Sequence, residues 1–474
     1  MPALTPYSVS VEDMMLARDE RVSAQENFLT RATACSSPVS LLSFSMNIPG
    51  EVKQSPLVRQ GFLRGKELIL HALADRQLPV LDSLELRRKS GDSFLCLVEA
   101  LPETVKRLAV QLEDSETLAR LFDIDVLAAD GHKLSREDFD FPPRQCLLCG
   151  ETSVLCARSR RHSAAELRAR CDTLLSAAFP RAGHFFSALE NLAALSLLDE
   201  VYAAPKPGLV DRIDSGAHSD MQFEDFVAST AAIVPFFREM AALSYESCFS
   251  LPFVAEDEKA LFPKLRQLGC RAEDAMFQAT GGVNTHKGAI FTLGLLAAGA
   301  GLVYAKRGTL RAEAILDEVQ ALTTDTLLAE VEQLRQQNSG SAHGETVLQR
   351  EGESGVRGEA AKGFPPLRQI ALPLLRQYEA EGRDSEAVAL NVLLHLILHV
   401  GDTNVLYRGG KEALLTLRAD CRNCLARGGA FAPEGRENLL ELKAKYRETR
   451  ISPGGCADLL SAALFLHRLE KTFR

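Results

Sequence analysis

Apolar positions along this chain keep two different rhythms. In the first part, short apolar runs alternate with helical periodicity. Val39–Met46 is a strand-like run closed by the turn Asn47-Ile48-Pro49-Gly50, Phe94–Glu99 is a second run, and Val58–Leu73 is an amphipathic helix. This pattern predicts an α/β or α+β domain over residues 1–178. From residue 179 onward apolar residues recur at three and four spacing, and strand-like alternation is scarce. Helices are predicted over Phe185–Tyr202, Phe223–Leu243, Glu258–Ala279, His286–Ala305, Leu310–Gln336, Leu367–Glu381 and Ser385–His399, giving an all-α domain over 179–474. Two irregular segments, 203–220 and 337–366, interrupt it. The second is glycine-rich and charged, either a linker or a functional lid.

One run tests whether the chain is soluble. Gly288–Ala305 is 18 residues without a charge, about 27 Å as a helix at about 1.5 Å per residue. Its glycine and alanine content, and the lack of a second such span, favour a buried central helix over a membrane crossing. No secretory leader is apparent, so a cytoplasmic location is expected. The 11 cysteines then read as thiols or metal ligands rather than a disulfide framework. A net charge of -9 argues against nucleic acid as a partner, while leaving local basic pockets for anionic nucleotides.

Polar clusters punctuate the ends of the apolar helices. They are Pro205-Lys206-Pro207-Gly208-Leu209-Val210-Asp211, Gly216-Ala217-His218-Ser219-Asp220-Met221, Gly282-Val283-Asn284-Thr285-His286-Lys287-Gly288, Arg357-Gly358-Glu359-Ala360, and Gly401-Asp402-Thr403-Asn404 with Arg408-Gly409-Gly410. Glycines permit close backbone approach, helix starts offer free N–H groups, and lysines supply positive charge, which together suit phosphate. Asp211, Asp220 and Asp402 are hard oxygen ligands of the kind Mg²⁺ uses beside polyphosphates. Taken singly, each cluster is more simply a turn or a cap.

In this order, and with the later Ser452-Pro453-Gly454-Gly455-Cys456-Ala457-Asp458-Leu459-Leu460, the clusters resemble the triphosphoribosyl-dephospho-coenzyme-A synthase family of the citrate lyase system. The resemblance implies ATP and 3′-dephospho-coenzyme A as substrates and adenine as leaving group. It implies that Lys206, Gly208, Asn284, Thr285, Lys287, Gly288, Arg357, Glu359, Asp402, Asn404 and Arg408 bind the nucleotides. Asp211 and Asp220 are then candidates for Mg²⁺ or base, and His218 or His286 for protonating adenine.

In the first domain, Asp123 and Asp125 alternate on a predicted strand and so share a face, as Mg²⁺-holding pairs do in nucleotidyl transfer. An edge-strand or turn pair is the plainer alternative. Cys146-x2-Cys149-x6-Cys156-x5-His162 has the ligand types and loop lengths of a structural Zn²⁺ site, or of four reduced side chains packed together. With Arg18-Asp19-Glu20-Arg21, Lys53 and Pro142-Pro143-Arg144-Gln145-Cys146-Leu147-Leu148-Cys149, this region resembles the apo-citrate lyase phosphoribosyl-dephospho-coenzyme-A transferase family. That implies transfer to a serine of the acyl carrier (gamma) subunit with loss of pyrophosphate, Asp123 and Asp125 on Mg²⁺, and Arg18, Arg21 and Lys53 on phosphate. The chain departs from the family pattern at Ala24 and at Ala119. Alternatives are the equivalent steps for the malonate decarboxylase carrier, a non-catalytic first half, or a non-enzymatic scaffold.

Overall fold

The computed structural model describes residues 9–33, 37–179, 182–248, 256–336 and 343–474. The chain separates into two compact units, one made chiefly of residues 1–180 and the other of 181–247, 255–304 and 309–474.

The first unit is α+β. Its sheet has four strands, β1 (Ser40–Met46), β2 (Val80–Leu86), β3 (Ser93–Val98) and β4 (Phe122–Ala128), in the order β2-β3-β1-β4 with antiparallel pairing throughout. Strand alternation divides their side chains between two faces. Phe44, Phe94, Cys96, Phe122, Ile124 and Val126 lie in the main core, with residues of α2 (Pro56–Asp75), α3 (Pro102–Glu113) and α5 (Ala164–Ala178). The opposite face meets α1 (Val11–Ala32), whose Ala24, Phe28 and Ala32 pack on Val39, Leu41, Leu95 and Leu97. A capping box, Ser10 with Asp13, starts α1. Ala24, one of the departures from the family pattern, belongs to this apolar patch, and Ala119 is fully buried in the main core. The short helix α4 (Ser153–Arg158) and α5 follow β4.

Strand β2 was not anticipated. It is an edge strand whose Val80, Leu81 and Leu84 remain exposed, so its pattern carries little core signal.

Only helices and loops are present among the described residues of the second unit. The order is α6 (Ala182–Tyr202), α7 (Phe223–Ser247), α8 (Glu256–Ala279), α9 (Lys287–Arg307), α10 (Ala312–Gln336), α11 (His343–Glu351), α12 (Gly355–Ala361), α13 (Leu372–Ala380), α14 (Ser385–His399), α15 (Thr403–Ala426), α16 (Pro433–Glu448) and α17 (Gly454–Thr472). Both α7 and α9 are long and apolar enough to cross a membrane by length and composition, yet the apolar window of α9 is 89% buried, against 39% for α7. The expected central helix is thus largely buried. The segment expected as linker or lid contains α11 and α12; residues 337–342 lie outside the described residues.

Candidate functional sites

Along the α1 face of the first sheet the chemistry changes from apolar to polar. Asp123 pairs with Ser45 across β1/β4, and Ser45 with Ser93 across β1/β3. Asp125 stands opposite Ser43, whose hydroxyl accepts a 3.2 Å hydrogen bond from Gln25 Nε2 of α1. Arg18, Arg21 and Gln25, spaced by three and four, project from the same stripe of α1 as Phe28. Arg18 and Arg21 line a cavity of about 180 Å³ with Arg88, Ser90 and Gly91 from the β2–β3 connection and Ser93 at the start of β3. Among the described residues neither Arg18 nor Arg21 has an ion-pair partner, whereas Arg88 Nε donates to Glu20 at 2.5 Å.

Burial raises the Asp123 carboxyl above its usual range, and the like charge of Asp125 adds to this; Arg144, Lys133 and Arg21 oppose it. Arg144 lies 3.5 Å from Asp123, and Lys133 pairs with Asp125 at 2.8 Å. Lys53 stands apart. Its ammonium donates to Ile48 O at 2.6 Å, and desolvation, with Arg168 nearby, lowers its pKa. Arg88 escaped the sequence reading, although the run Arg87-Arg88-Lys89-Ser90-Gly91 is a basic turn of the sort that faces anions.

Close by in the same unit, ligand atoms of Cys146, Cys149, Cys156 and His162 all lie within 4.8 Å of one another. Burial pushes the Cys146 thiol up, but the backbone N–H groups of Leu148 and Cys149, together with the Cys156 and Cys149 thiols, outweigh that and hold it below its ordinary value.

In the helical unit, the 205–211, 216–221, 282–288 and 401–404 clusters each meet the segment Ile451–Asp458. Gly208 has φ of +68°, and a Cβ there would lie 2.0 Å from Ile451 O, so only glycine lets the 205–211 turn approach. His218 Nε2 is 2.9 Å from Ser452 Oγ, with Asp220 3.9 Å from the other ring nitrogen; burial, then the charge of Arg408, oppose its protonation. Asp402 is buried and accepts N–H bonds from Asn404, Val405 and Cys456 at 2.9–3.2 Å, joining the starts of α15 and α17. Gly454 lies against the Asn404 amide, and Gly355, two residues before Arg357, lies against Thr403. A Cβ at Gly288 would fall 1.9 Å from Asp458 Oδ2, and the Asp458 carboxylate accepts the N–H of Ala289 at the start of α9. Burial, then the charges of Glu200 and Asp402, push Asp458 well above the carboxylate range.

Several residues expected on the substrate instead face inward. Lys206 is fully buried, its ammonium donating to Glu200 Oε1 at 2.5 Å and Glu200 O at 2.6 Å. That geometry corrects the expectation of a phosphate-facing Lys206. Asp211 is likewise enclosed, accepting from Lys206 N, Ile213 N and Lys443 Nζ. All of these are contacts within the protein, and they organise the turn. His286 is held neutral, its pKa pushed down to about 3 by burial and then by Lys206. Its Nδ1 lies 2.7 Å from Ser229 Oγ, and its Nε2 has no hydrogen-bond partner among the described residues. Thr285 Oγ1 and Glu359 Oε2 are also buried without one. Lys287 is exposed, 3.0 Å from Glu273, while its N–H donates to Asn284 Oδ1 at 3.3 Å. Glu200, Lys443 and Asp458 were missed as site residues; Asp458 stood in a quoted motif, but nothing in its spacing marked it.

A small antiparallel-sheet unit with a carboxylate pair beside arginines, joined to a helical unit with convergent glycine, lysine and aspartate clusters, defines a two-enzyme chain of the transferase class. Comparison with known proteins makes this specific. Residues 9–178 match the family described as apo-citrate lyase phosphoribosyl-dephospho-CoA transferase, and residues 186–474 match ATP:dephospho-CoA triphosphoribosyl transferase. The chain is 31% identical to Protein CitXG of Haemophilus influenzae over 96% of both chains, and 32% identical to Protein CitXG of Leuconostoc mesenteroides over 90% of this chain and 91% of that one. It is 41% identical to a probable 2-(5''-triphosphoribosyl)-3'-dephosphocoenzyme-A synthase of Citrobacter koseri, covering 62% of this chain and 94% of the relative. The chain belongs to the CitXG fusion family, bifunctional transferases that mature the prosthetic group of citrate lyase.

Proposed function

We propose that the two units catalyse consecutive steps. In the helical unit the ribose 2′-hydroxyl of 3′-dephospho-coenzyme A attacks C1′ of the ATP ribose. The bond from C1′ to adenine breaks, adenine gains a proton, and the triphosphate stays on the product. The first unit then lets a serine hydroxyl of the citrate lyase acyl carrier subunit attack the innermost phosphorus of that triphosphate, expelling pyrophosphate.

The carrying observation is the convergence of clusters from Lys206 to Asp458 on one short segment, Ile451–Asp458. The exposed cations Lys287 and Arg408, with Arg357, suit the triphosphate. The unpartnered Thr285 Oγ1, His286 Nε2 and Glu359 Oε2 are polar groups with capacity left for a substrate. Asp458, raised by burial and by neighbouring carboxylates, suits a proton donor to adenine better than the neutral His286; His218 with Asp220 suits the base. Asp123 and Asp125 suit Mg²⁺ escorting pyrophosphate, with Arg18, Arg21 and Arg88 on its oxygens. The Cys146, Cys149, Cys156 and His162 set suits a structural Zn²⁺. We read α7 and α9 as core helices and the protein as cytoplasmic, without nucleic-acid or membrane partners.

Incubating the purified chain with ATP, Mg²⁺, dephospho-coenzyme A and apo-carrier, then weighing the carrier, tests the whole sequence. The expected result is one phosphoribosyl-dephospho-coenzyme-A adduct per carrier, with stoichiometric adenine. An unlabelled carrier with no adenine released would overturn the reading.

A further inference from the structure

The Cys/His cluster is wired to the transferase carboxylates. Tetrahedral Zn²⁺ with sulfur at about 2.3 Å and nitrogen at about 2.0 Å requires ligand atoms roughly 3.5–3.8 Å apart. Here the four lie within 4.8 Å of one another, with Cys146 Sγ and Cys156 Sγ 3.4 Å apart. The Leu148 N–H points at Cys146 Sγ from 3.5 Å, the arrangement that supports a thiolate in a knuckle. His162 Nε2 is enclosed and has no hydrogen-bond partner among the described residues.

Three separate segments deliver these ligands. Cys146 N–H donates to Glu151 O at 2.8 Å, closing the 146–151 turn, and Thr152 caps α4, which presents Cys156. His162 immediately precedes Ser163, whose capping box with Glu166 starts α5. Residues 140–152 form no helix or strand of their own beyond an isolated bridge between Gln145 and Thr152. A shared metal would cross-link the three segments where regular structure does not.

The same turn carries Arg144, two residues before Cys146. Ser153 N–H donates to Arg144 O at 2.7 Å, and the Arg144 guanidinium donates to Arg120 O and Phe122 O while standing 3.5 Å from Asp123. Arg120 returns the link, donating to Cys146 O at 2.9 Å. Backbone on both sides of the first ligand is therefore tied to the start of β4.

We propose that Zn²⁺ held by Cys146, Cys149, Cys156 and His162 clamps Arg144 against Asp123, so that carrier labelling requires Zn²⁺ and adenine release does not. This rests on the reading of Asp123 and Asp125 as the transferase centre; Arg144 is a positioning residue.

The test uses the full chain. Elemental analysis should find about one zinc per chain, and Co²⁺ replacement should give the visible bands of a tetrahedral thiolate site. Cys149→Ser, or zinc stripping with a thiol-selective reagent and excess Mg²⁺, should lower carrier labelling from synthetic donor more than tenfold while adenine release stays at the wild-type rate. Zinc should restore the stripped protein. Arg144→Gln should keep its zinc and lower kcat for labelling rather than raise KM for donor, with partial rescue by Arg144→Lys. Zinc-free chain that labels carrier at the full rate, or chain that never takes up zinc, overturns the proposal. Zinc-replete wild type that fails to label carrier from synthetic donor overturns the underlying reading instead.

Discussion

Lys443 Nζ lies 2.5 Å from Asp211 Oδ2, bridging 232 positions of sequence, and both side chains are sealed from solvent. Asp214 stands 3.0 Å from the same ammonium. The pair pins the Pro205–Asp211 turn to α16, and Asp211 also organises that turn by accepting its N–H groups. Truncating one member of a buried ion pair strands the other charge, which costs about 3–5 kcal/mol. Asp211→Ala is therefore expected to lower the stability of the helical unit by about that amount, softened by Asp214. The double variant Asp211→Ala/Lys443→Met should recover much of the loss, because no buried charge is left. Urea unfolding of the wild type and the two variants measures this; an unshifted midpoint for Asp211→Ala would remove the structural role.

Gly288 and Asp458 make a tighter pair. The carboxylate of Asp458 occupies the space a Cβ at position 288 would fill, and it accepts the N–H of Ala289 in the first turn of α9. Gly288→Ala should displace the carboxylate, and Asp458→Asn should remove its proton while keeping its shape. Loss of a positioned acid costs about 10²–10⁴-fold in rate. Both variants are expected to lose adenine release on that scale, with carrier labelling from synthetic donor unchanged. Retained adenine release in Asp458→Asn would remove Asp458 from the chemistry.

Ser385–His399 was legible as a helix because its apolar run is too long for an ordinary strand and is bounded by an Asp384 cap and a Gly401 break, and α14 spans those very residues. The β1 run was legible from its closing turn and the β4 run from its alternation. Strand β2 was not, since an edge strand with exposed Val80 and Leu81 leaves no one-sided pattern. Within the sites, residue types pointed to phosphate and metal chemistry, but direction was invisible. Lys206 sits in a motif suited to phosphate, yet Glu200 lies six residues earlier, near the end of α6, and captures its ammonium. Arg88 and Asp458 join their sites through strand register and helix packing, which one-dimensional spacing does not encode.

His286 contributes an acid-sensitive share of the stability of the helical unit. Its folded pKa of about 3 lies below the usual value of 6.5, so the unfolded chain binds the proton more tightly. The sign follows: stability is full above about pH 6.5 and falls as pH drops towards 3, by about 1.4 kcal/mol per unit from this group. Buried carboxyls such as Asp458, raised in the fold, act with the opposite sign, so the readout is the difference: at pH 7.5, 6 and 5 the denaturant midpoint of the wild type should fall progressively relative to that of His286→Gln. Equal slopes in both proteins would show that His286 is not the group responsible.

Arg21 and Arg88 face one cavity from opposite elements, α1 and the β2–β3 connection, with Ser93 and Ser45 linking that cavity to Asp123 across the strand register. A charged hydrogen bond to phosphate contributes about 1.5–3 kcal/mol, which corresponds to about 10- to 100-fold in affinity. Arg21→Ala should raise the donor KM within that range. Arg88→Ala should fall near the lower end, because Glu20 already shares its charge. Inhibition by free pyrophosphate should weaken in parallel, since the leaving group occupies the same cavity, and added salt should narrow the difference from wild type. Lys53→Ala is the contrast: its ammonium is spent on Ile48 O, so the donor KM should shift less than the Arg21 variant's. Steady-state kinetics with synthetic donor decides among them, and a Lys53 effect larger than the Arg21 effect would move the phosphate site away from α1.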